Sequence, residues 1–346
     1  MWKAWLVSLT ILALIGAVAV GLGPFLVSTT PLPGLEPARA AATPASRFLV
    51  IPFEGTDGVE VHYLAGTTPP GPAVPNFLLL HGFTLNAFTW DELLGFFDGQ
   101  GHVIAYDQVP YGLSAKLTRL DWAEASPYTR EAAVDQLFAT MDALGLAQAI
   151  LVGNSAGGSL ALEAALARPE RVTALILVSP WVYAQRPTLP PSLADLPQTE
   201  RLSLFLARRL GQSTALLRRS YADPSRLSDE RLALAGVHAR VANWDLAWGH
   251  LLHQSLTDVV SVSARLPEIT QPALVITGDQ DRLVPLADTQ QAAAALPLSE
   301  LVVLPGCGHV AHEECPGQVA DAVADWLAGL QTTFGSVHVG EFRDAN

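Results

Sequence analysis

Charge is scarce in this chain. Only 15% of its 346 residues are Asp, Glu, Lys or Arg, and 20 basic residues face 33 acidic ones, for a net charge of −13. So few Lys and Arg argue against a nucleic-acid partner, whose affinity comes largely from basic side chains neutralising phosphates. The acidity itself says nothing about fold. Cysteine is nearly absent. Cys307 and Cys315 are too few for a zinc finger or a disulfide-dense scaffold. A bridge between them would imply a domain outside the cytoplasm, and two nearby buried thiols are the simpler expectation. Internal repeats are also lacking. What is abundant is apolar: 50% of residues are hydrophobic, which excludes a disordered chain and predicts a substantial core. The length suits one large catalytic domain with an insertion, or two modest domains.

The longest apolar run comes first. Trp5 to Val27 reads WLVSLTILALIGAVAVGLGPFLV, without a charge. As a helix it would span roughly 34 Å, enough to cross a hydrocarbon core of about 30 Å. Lys3 and the α-amino group precede it, so the positive-inside rule puts the N-terminus in the cytoplasm and the rest across the membrane. A cleaved signal peptide is the competing reading, since Ala38-Arg39-Ala40 has the small-x-small form of a cleavage site. The run exceeds the usual signal length and that site lies well beyond its end. An uncleaved single-pass anchor over residues 1–27 is therefore expected, with the membrane as partner and the catalytic part extracytoplasmic. Residues 28–46, rich in Pro, Ala and small polar residues, read as an extended tether.

Beyond the tether, short β-like runs occupy Phe48–Phe53, Val59–Leu64, Phe77–His81, His102–Asp107, Ala149–Gly153, Ala174–Ser179, Ala273–Gly278 and Leu301–Leu304. The later ones are nearly continuous apolar runs, as expected when helices cover both faces of a parallel sheet. Helix-like segments lie between them, and the alternation predicts an α/β domain with right-handed crossovers. The first two strands, joined through Gly55-Thr56-Asp57-Gly58, read as an antiparallel hairpin. From residue 181 to 267 the alternation stops and the sequence turns helical. The expected layout is an α/β core over 47–180 and 268–332, a helical insertion over 181–267 and a frayed polar tail over 333–346.

One pentapeptide carries chemistry. Gly153-Asn154-Ser155-Ala156-Gly157 is G-x-S-x-G, set between a predicted strand and a predicted helix. Ser155 then sits where a strand turns sharply into a helix, with its hydroxyl exposed at the strand ends. The helix N-terminus favours negative charge developing there. A nucleophilic serine needs a base, and the base an orienting acid. His309, in Gly306-Cys307-Gly308-His309 after the last strand, lies on the same sheet edge. His312 competes but reads as stabilising the start of the last helix. For the acid, Asp281 can bend toward His309, with Asp279 as the alternative. An oxyanion hole needs two backbone N–H groups. Ala156 supplies one, and Phe83, in His81-Gly82-Phe83, the other. His81 reads as a brace for its loop.

Jointly these residues resemble the α/β-hydrolase superfamily, over about Phe48 to Leu330. Asp107-Gln108-Val109-Pro110-Tyr111-Gly112-Leu113-Ser114 is similar to the D-x-P-G-Y-G-x-S loop of many members, with Val109-Pro110 where Pro-Gly is usual. Trp90 and Glu314-Cys315-Pro316 also fit. The resemblance implies an α/β-hydrolase fold: a mostly parallel eight-stranded sheet flanked by helices, with residues 181–267 as a helical cap over the site. Trp181, Trp244, Trp248 and Phe205 are candidate lining residues, or the cap's own core. Arg208-Arg209 and Arg218-Arg219 read as solvated helix faces. Epoxide hydrolases and haloalkane dehalogenases of this superfamily use an aspartate nucleophile, so Ser155 argues against both. A carboxylic ester hydrolase acting on a small-molecule acyl substrate is the leading expectation, without metal or cofactor. C–C bond hydrolysis or another acyl transfer is the runner-up, and an idle membrane-tethered binding module the reading from a different class.

Overall fold

Eight apolar runs become eight strands of one sheet. The computed structural model of the chain describes residues 5, 20–71, 74–183, 188–258 and 261–333. The strands are β1 (Arg47–Ile51), β2 (Val59–Ala65), β3 (Asn76–Leu80), β4 (His102–Tyr106), β5 (Ala149–Asn154), β6 (Val172–Val178), β7 (Ala273–Gly278) and β8 (Ser299–Leu304). Their order is β1-β2-β4-β3-β5-β6-β7-β8. As expected, β1 and β2 form an antiparallel hairpin; β2 also runs antiparallel to β4, and all later pairs are parallel.

Helices α1 (Asp91–Gln100), α2 (Arg130–Ala143) and α3 (Ala156–Ala167) follow β3, β4 and β5. Between β6 and β7 come α4 (Pro191–Ala194), α5 (Pro197–Gly211), α6 (Ala215–Ser220), α7 (Asp229–Ala235) and α8 (Trp244–Gln254). The chain closes with α9 (Leu286–Ala295), α10 (Ala311–Glu314) and α11 (Pro316–Thr333). Successive strand residues point to opposite faces, so β3 sends Leu78 and Leu80 to one core and Phe77 and Leu79 to another. The first core is closed by Leu137, Phe138 and Met141 of α2 and Leu160 of α3. The second is closed by Leu93 and Phe97 of α1 and by Val319, Val323 and Trp326 of α11. With both faces covered, the central strands can be apolar throughout.

The insertion is helical, as its loss of β alternation predicts. Trp244 and Trp248 of α8 are fully buried with Ala207 of α5 and Tyr111 of the core, so they form the cap's own core rather than a pocket wall. Phe205 is 39% exposed and lines neither of the two cavities beside the serine. Arg208 is not a solvated residue either. It pairs with the fully buried Asp245 at 2.8 Å and donates to the carbonyls of Ser28 and Thr30, both at 2.8 Å.

Those last bonds tie residues 28–30 to the cap. Residues 28–46 do not form a free tether. Leu32 and Leu35 pack on the Trp244–Trp248 cluster, Glu36 bridges to Val241, and Ala41 is buried in the second core. Apolar side chains spaced along the segment let it dock. Most of the proposed anchor, Trp5–Val27, lies outside the described residues. Its end is described: a helical turn to Leu22 followed by a 3-10 turn at Gly23–Leu26. Among the described residues no helix is long and apolar enough to cross a membrane. The tail from 334 onward also lies outside them.

The cysteines depart from expectation too. Cys307 and Cys315 are joined in a disulfide, with Cα atoms 6.1 Å apart. The chain doubles back through α10, which brings the two within bridging range.

Candidate active site

Ser155 stands between β5 and α3 with φ 52° and ψ −116°, a backbone conformation that L-residues rarely adopt. The surroundings enforce it. A Cβ at Gly153 would lie 2.5 Å from the Gly157 carbonyl oxygen, and one at Gly157 would lie 2.3 Å from that of Leu80. Only glycine fits at either position. The turn is held in place because Ser155 N–H donates to Val178 O at 3.0 Å and Trp181 N–H to Ser155 O at 3.1 Å.

His309 lies on the loop after β8, and its Nδ1 is 2.8 Å from Asp281 Oδ2. A carboxylate only accepts, so Nδ1 carries the proton and Nε2 is left as the basic nitrogen. Asp281 Oδ1 accepts from Leu283 N–H at 2.8 Å and Val284 N–H at 2.9 Å. Burial works to raise the Asp281 pKa, but the bonds from His309 and these two amides outweigh it and hold the group below the ordinary carboxylate value. Asp279, the alternative acid, accepts from Gly306 N–H at 2.8 Å and braces the loop instead.

Ser155 and His309 line one cavity of about 290 Å³. Its other walls are mainly apolar, from Phe83, Leu85, Trp181, Leu216, Leu217, Leu283, Val284 and Val310. Trp181, the one candidate lining residue that reaches the site, and Phe83 also border a second cavity of about 360 Å³ that contains Ala156. The N–H groups of Phe83 and Ala156 have no hydrogen-bond acceptor among the described residues. His81 braces the Phe83 loop: its Nδ1 donates to Gly82 O at 2.8 Å, and Gln108 N–H donates to its Nε2 at 3.0 Å. The Asp107–Ser114 loop behind it is anchored by buried Asp107, which accepts from Ala87 and Leu113 N–H groups, both at 2.6 Å, and from His62 at 2.7 Å.

Three positioning groups went unseen in the sequence. Asn154 Nδ2 donates to His309 O and Val178 O, both at 3.1 Å, tying the serine strand to the histidine loop. Its signal was a polar residue ending an apolar strand. Glu314 accepts from Gly308, Ala222 and Asp223 N–H groups at 2.8, 2.9 and 2.8 Å. Ser220 O, at the end of α6, accepts from His309 N–H at 2.7 Å. The last two depend on contacts between cap and core, which local pattern does not reveal. His312 does not serve the last helix. It is fully buried, tilted 33° against the Trp90 ring with centroids 4.3 Å apart, and bonded to Thr89 at 2.9 Å. Glu313 beside it is bonded by Thr89 and by Tyr221 of the cap.

Comparison with known proteins is consistent with this geometry. The family model described as alpha/beta hydrolase fold matches residues 75–316. An uncharacterised hydrolase of Bacillus subtilis, YugF, is 27% identical over 289 residues, 83% of this chain and 99% of that protein. The 2-hydroxy-6-oxo-6-phenylhexa-2,4-dienoate hydrolase of Burkholderia cepacia is 30% identical over 292 residues, 82% of this chain and 96% of that one. Among solved structures, a bacterial membrane phospholipase A superposes with a TM-score of 0.63 at 22% identity, covering 95% of this chain and 99% of its own. At that identity the likeness is one of fold alone.

Proposed function

The chain belongs to the alpha/beta-hydrolase fold family, and from that premise we propose that it is a serine hydrolase of carboxylic esters. His309 Nε2 takes the proton of Ser155 Oγ as the oxygen attacks the ester carbonyl, while Asp281 fixes the His309 tautomer and offsets its developing charge. The N–H groups of Phe83 and Ala156 hold the oxyanion, each contributing about 3–4 kcal/mol of transition-state stabilisation. Protonated His309 gives its proton to the leaving alcohol. A water deprotonated by the same nitrogen then cleaves the acyl-enzyme and regenerates Ser155.

The observation that carries the ester reading is the wall of the cavity around Ser155 and His309. Among the described residues it contains no Lys, Arg or carboxylate, which suits a neutral acyl group. A second reading, C–C bond hydrolysis, is favoured by the dienoate hydrolase relative. A dienoate carries a carboxylate, and burying one without a cationic partner is costly. Arg130 borders the second cavity, but Glu163 already binds its guanidinium. Turnover of p-nitrophenyl esters by the wild type and its abolition in Ser155→Ala test the first reading. Cleavage of a vinylogous diketone acid with no activity on esters would favour the second.

The proposal extends to location. The uncharged run Trp5–Val27 serves as a single-pass anchor with the hydrolase domain on the extracytoplasmic side. The Cys307–Cys315 disulfide supports an oxidising compartment. N-terminal sequencing of the mature protein tests this, and a start near Ala41 would overturn it.

A further inference from the structure

The outer face of α5 is apolar and uncovered. Leu202, Phe205 and Leu206 share one side of the helix and are 49%, 39% and 45% exposed, while Ser203, Leu204 and Ala207 on the other side are buried. Leu22, Phe25 and Leu26 are also exposed. Nine of the fifteen exposed large apolar side chains of the described residues fall within two stretches, 20–26 and 193–206. The stretches touch. Gln198 Nε2 donates to Gly21 O at 3.3 Å, Arg201 Nη1 donates to Val27 O at 2.7 Å, and the Arg201 guanidinium lies 5.1 Å from the centre of the Phe25 ring. Single exposed apolar residues are ordinary, whereas a contiguous patch marks an interaction site.

Where the chain leads identifies the occupant. Residues 5–27 are uncharged, and the bonds from Gln198 and Arg201 fasten the end of that run to α5. A run that lies in hydrocarbon and ends on α5 leaves no spare chain between bilayer and cap. We propose that the surface formed by residues 20–26 and the exposed face of α5 seats on the lipid bilayer, and that the enzyme takes acyl esters from that membrane. The inference rests on the anchor reading above. Arg201 and Arg209, the latter 5.3 Å over the Phe205 ring, stand at the patch on an otherwise acidic protein. Their stems cover apolar surface and their heads can meet lipid phosphates. One turn beyond Leu206, Leu210 of the same helix lines the second cavity, so α5 joins the bilayer face to the site.

The test uses the full chain reconstituted in phosphatidylcholine/phosphatidylglycerol vesicles. With Cys307 and Cys315 bridged, one fluorophore is attached at Leu206→Cys and, separately, at Glu300→Cys, at the opposite edge of the sheet from the cap. Doxyl-labelled lipid is expected to quench the first and not the second. In Leu202→Glu/Leu206→Glu, turnover of a long-chain ester carried in the vesicles is expected to fall about tenfold or more, as withdrawing two leucines from apolar contact implies. Turnover of water-soluble p-nitrophenyl butyrate should stay unchanged. An unquenched fluorophore at 206 overturns the proposal, as do equal losses on both esters or crosslinking between 206 positions of two copies without quenching. A wild-type chain released by alkaline carbonate overturns the anchor and this surface together. A chain inactive on every ester refutes the ester-hydrolase reading, and the quenching result then decides the surface by itself.

Discussion

Asp279 and Asp281 stand two residues apart on one loop, and their partners separate them. Asp281 receives His309 and two amides, whereas among the described residues Asp279 receives only Gly306 N–H. Asp281→Asn is expected to lower kcat on the order of 10³–10⁴-fold, because the amide favours the wrong His309 tautomer. Asp279→Ala should change kcat little and reduce stability by about 1 kcal/mol, the worth of one hydrogen bond. Steady-state kinetics and urea unfolding of the two variants check this, and equal kcat losses would contradict it. At this scale the sequence was informative. The strand-to-helix place of Ser155 and the pairing of His309 with Asp281 were legible, from a glycine-framed serine and from loops that leave the same sheet edge. Asn154 and Glu314 were not legible, because their partners lie in loops distant along the chain.

The segment from Cys307 through α10 acts as one element. The disulfide closes its ends, Ser220 O holds the His309 amide, and Glu314 gathers one N–H from this segment and two from the cap. A glutamine at 314 keeps one acceptor oxygen and loses the charge. Glu314→Gln is expected to lower kcat about tenfold, the worth of a charge-assisted hydrogen bond. KM should change little, since the bonded groups are backbone rather than cavity wall. A rise in KM at constant kcat would assign Glu314 to substrate binding instead. Opening the disulfide should cost about 2.5 kcal/mol by chain entropy for so short a loop, read as a lowered Tm in Cys307→Ser/Cys315→Ser. The pairing was missed because an extracytoplasmic side permits a bridge without requiring one, and spacing along the chain does not say whether two cysteines meet. Only the return of the chain through α10 decides it.

Across the whole molecule, cap and core meet through a buried polar layer whose protonation links pH to stability. Burial on Trp90 and the nearby Arg231 and His309 hold the His312 pKa well below its ordinary 6.5. Below pH 6.5 the unfolded chain therefore binds a proton there that the fold refuses, and stability falls as pH drops. Glu313 and Asp91, facing the same layer, act in the opposite sense: burial raises both, Asp91 to about 6 despite Arg231. The His312 contribution is isolated by comparison with His312→Asn. Denaturant unfolding from pH 7 to 5 should cost the wild type more stability than the variant, and parallel curves would contradict this. Strand positions, hairpin and cap were legible from alternation and its interruption, whereas the strand order was not. Docking of residues 28–46 onto the cap was not, because a Pro/Ala-rich composition looks the same docked or free. The proposed mechanism turns on one oxygen atom, Ser155 Oγ. Fluorophosphonate labelling of the full chain, followed by peptide mass spectrometry, tests it most directly. A single adduct on Ser155, lost in Ser155→Ala, is expected; an unlabelled wild type, or an adduct on any other residue, would refute the role of Ser155.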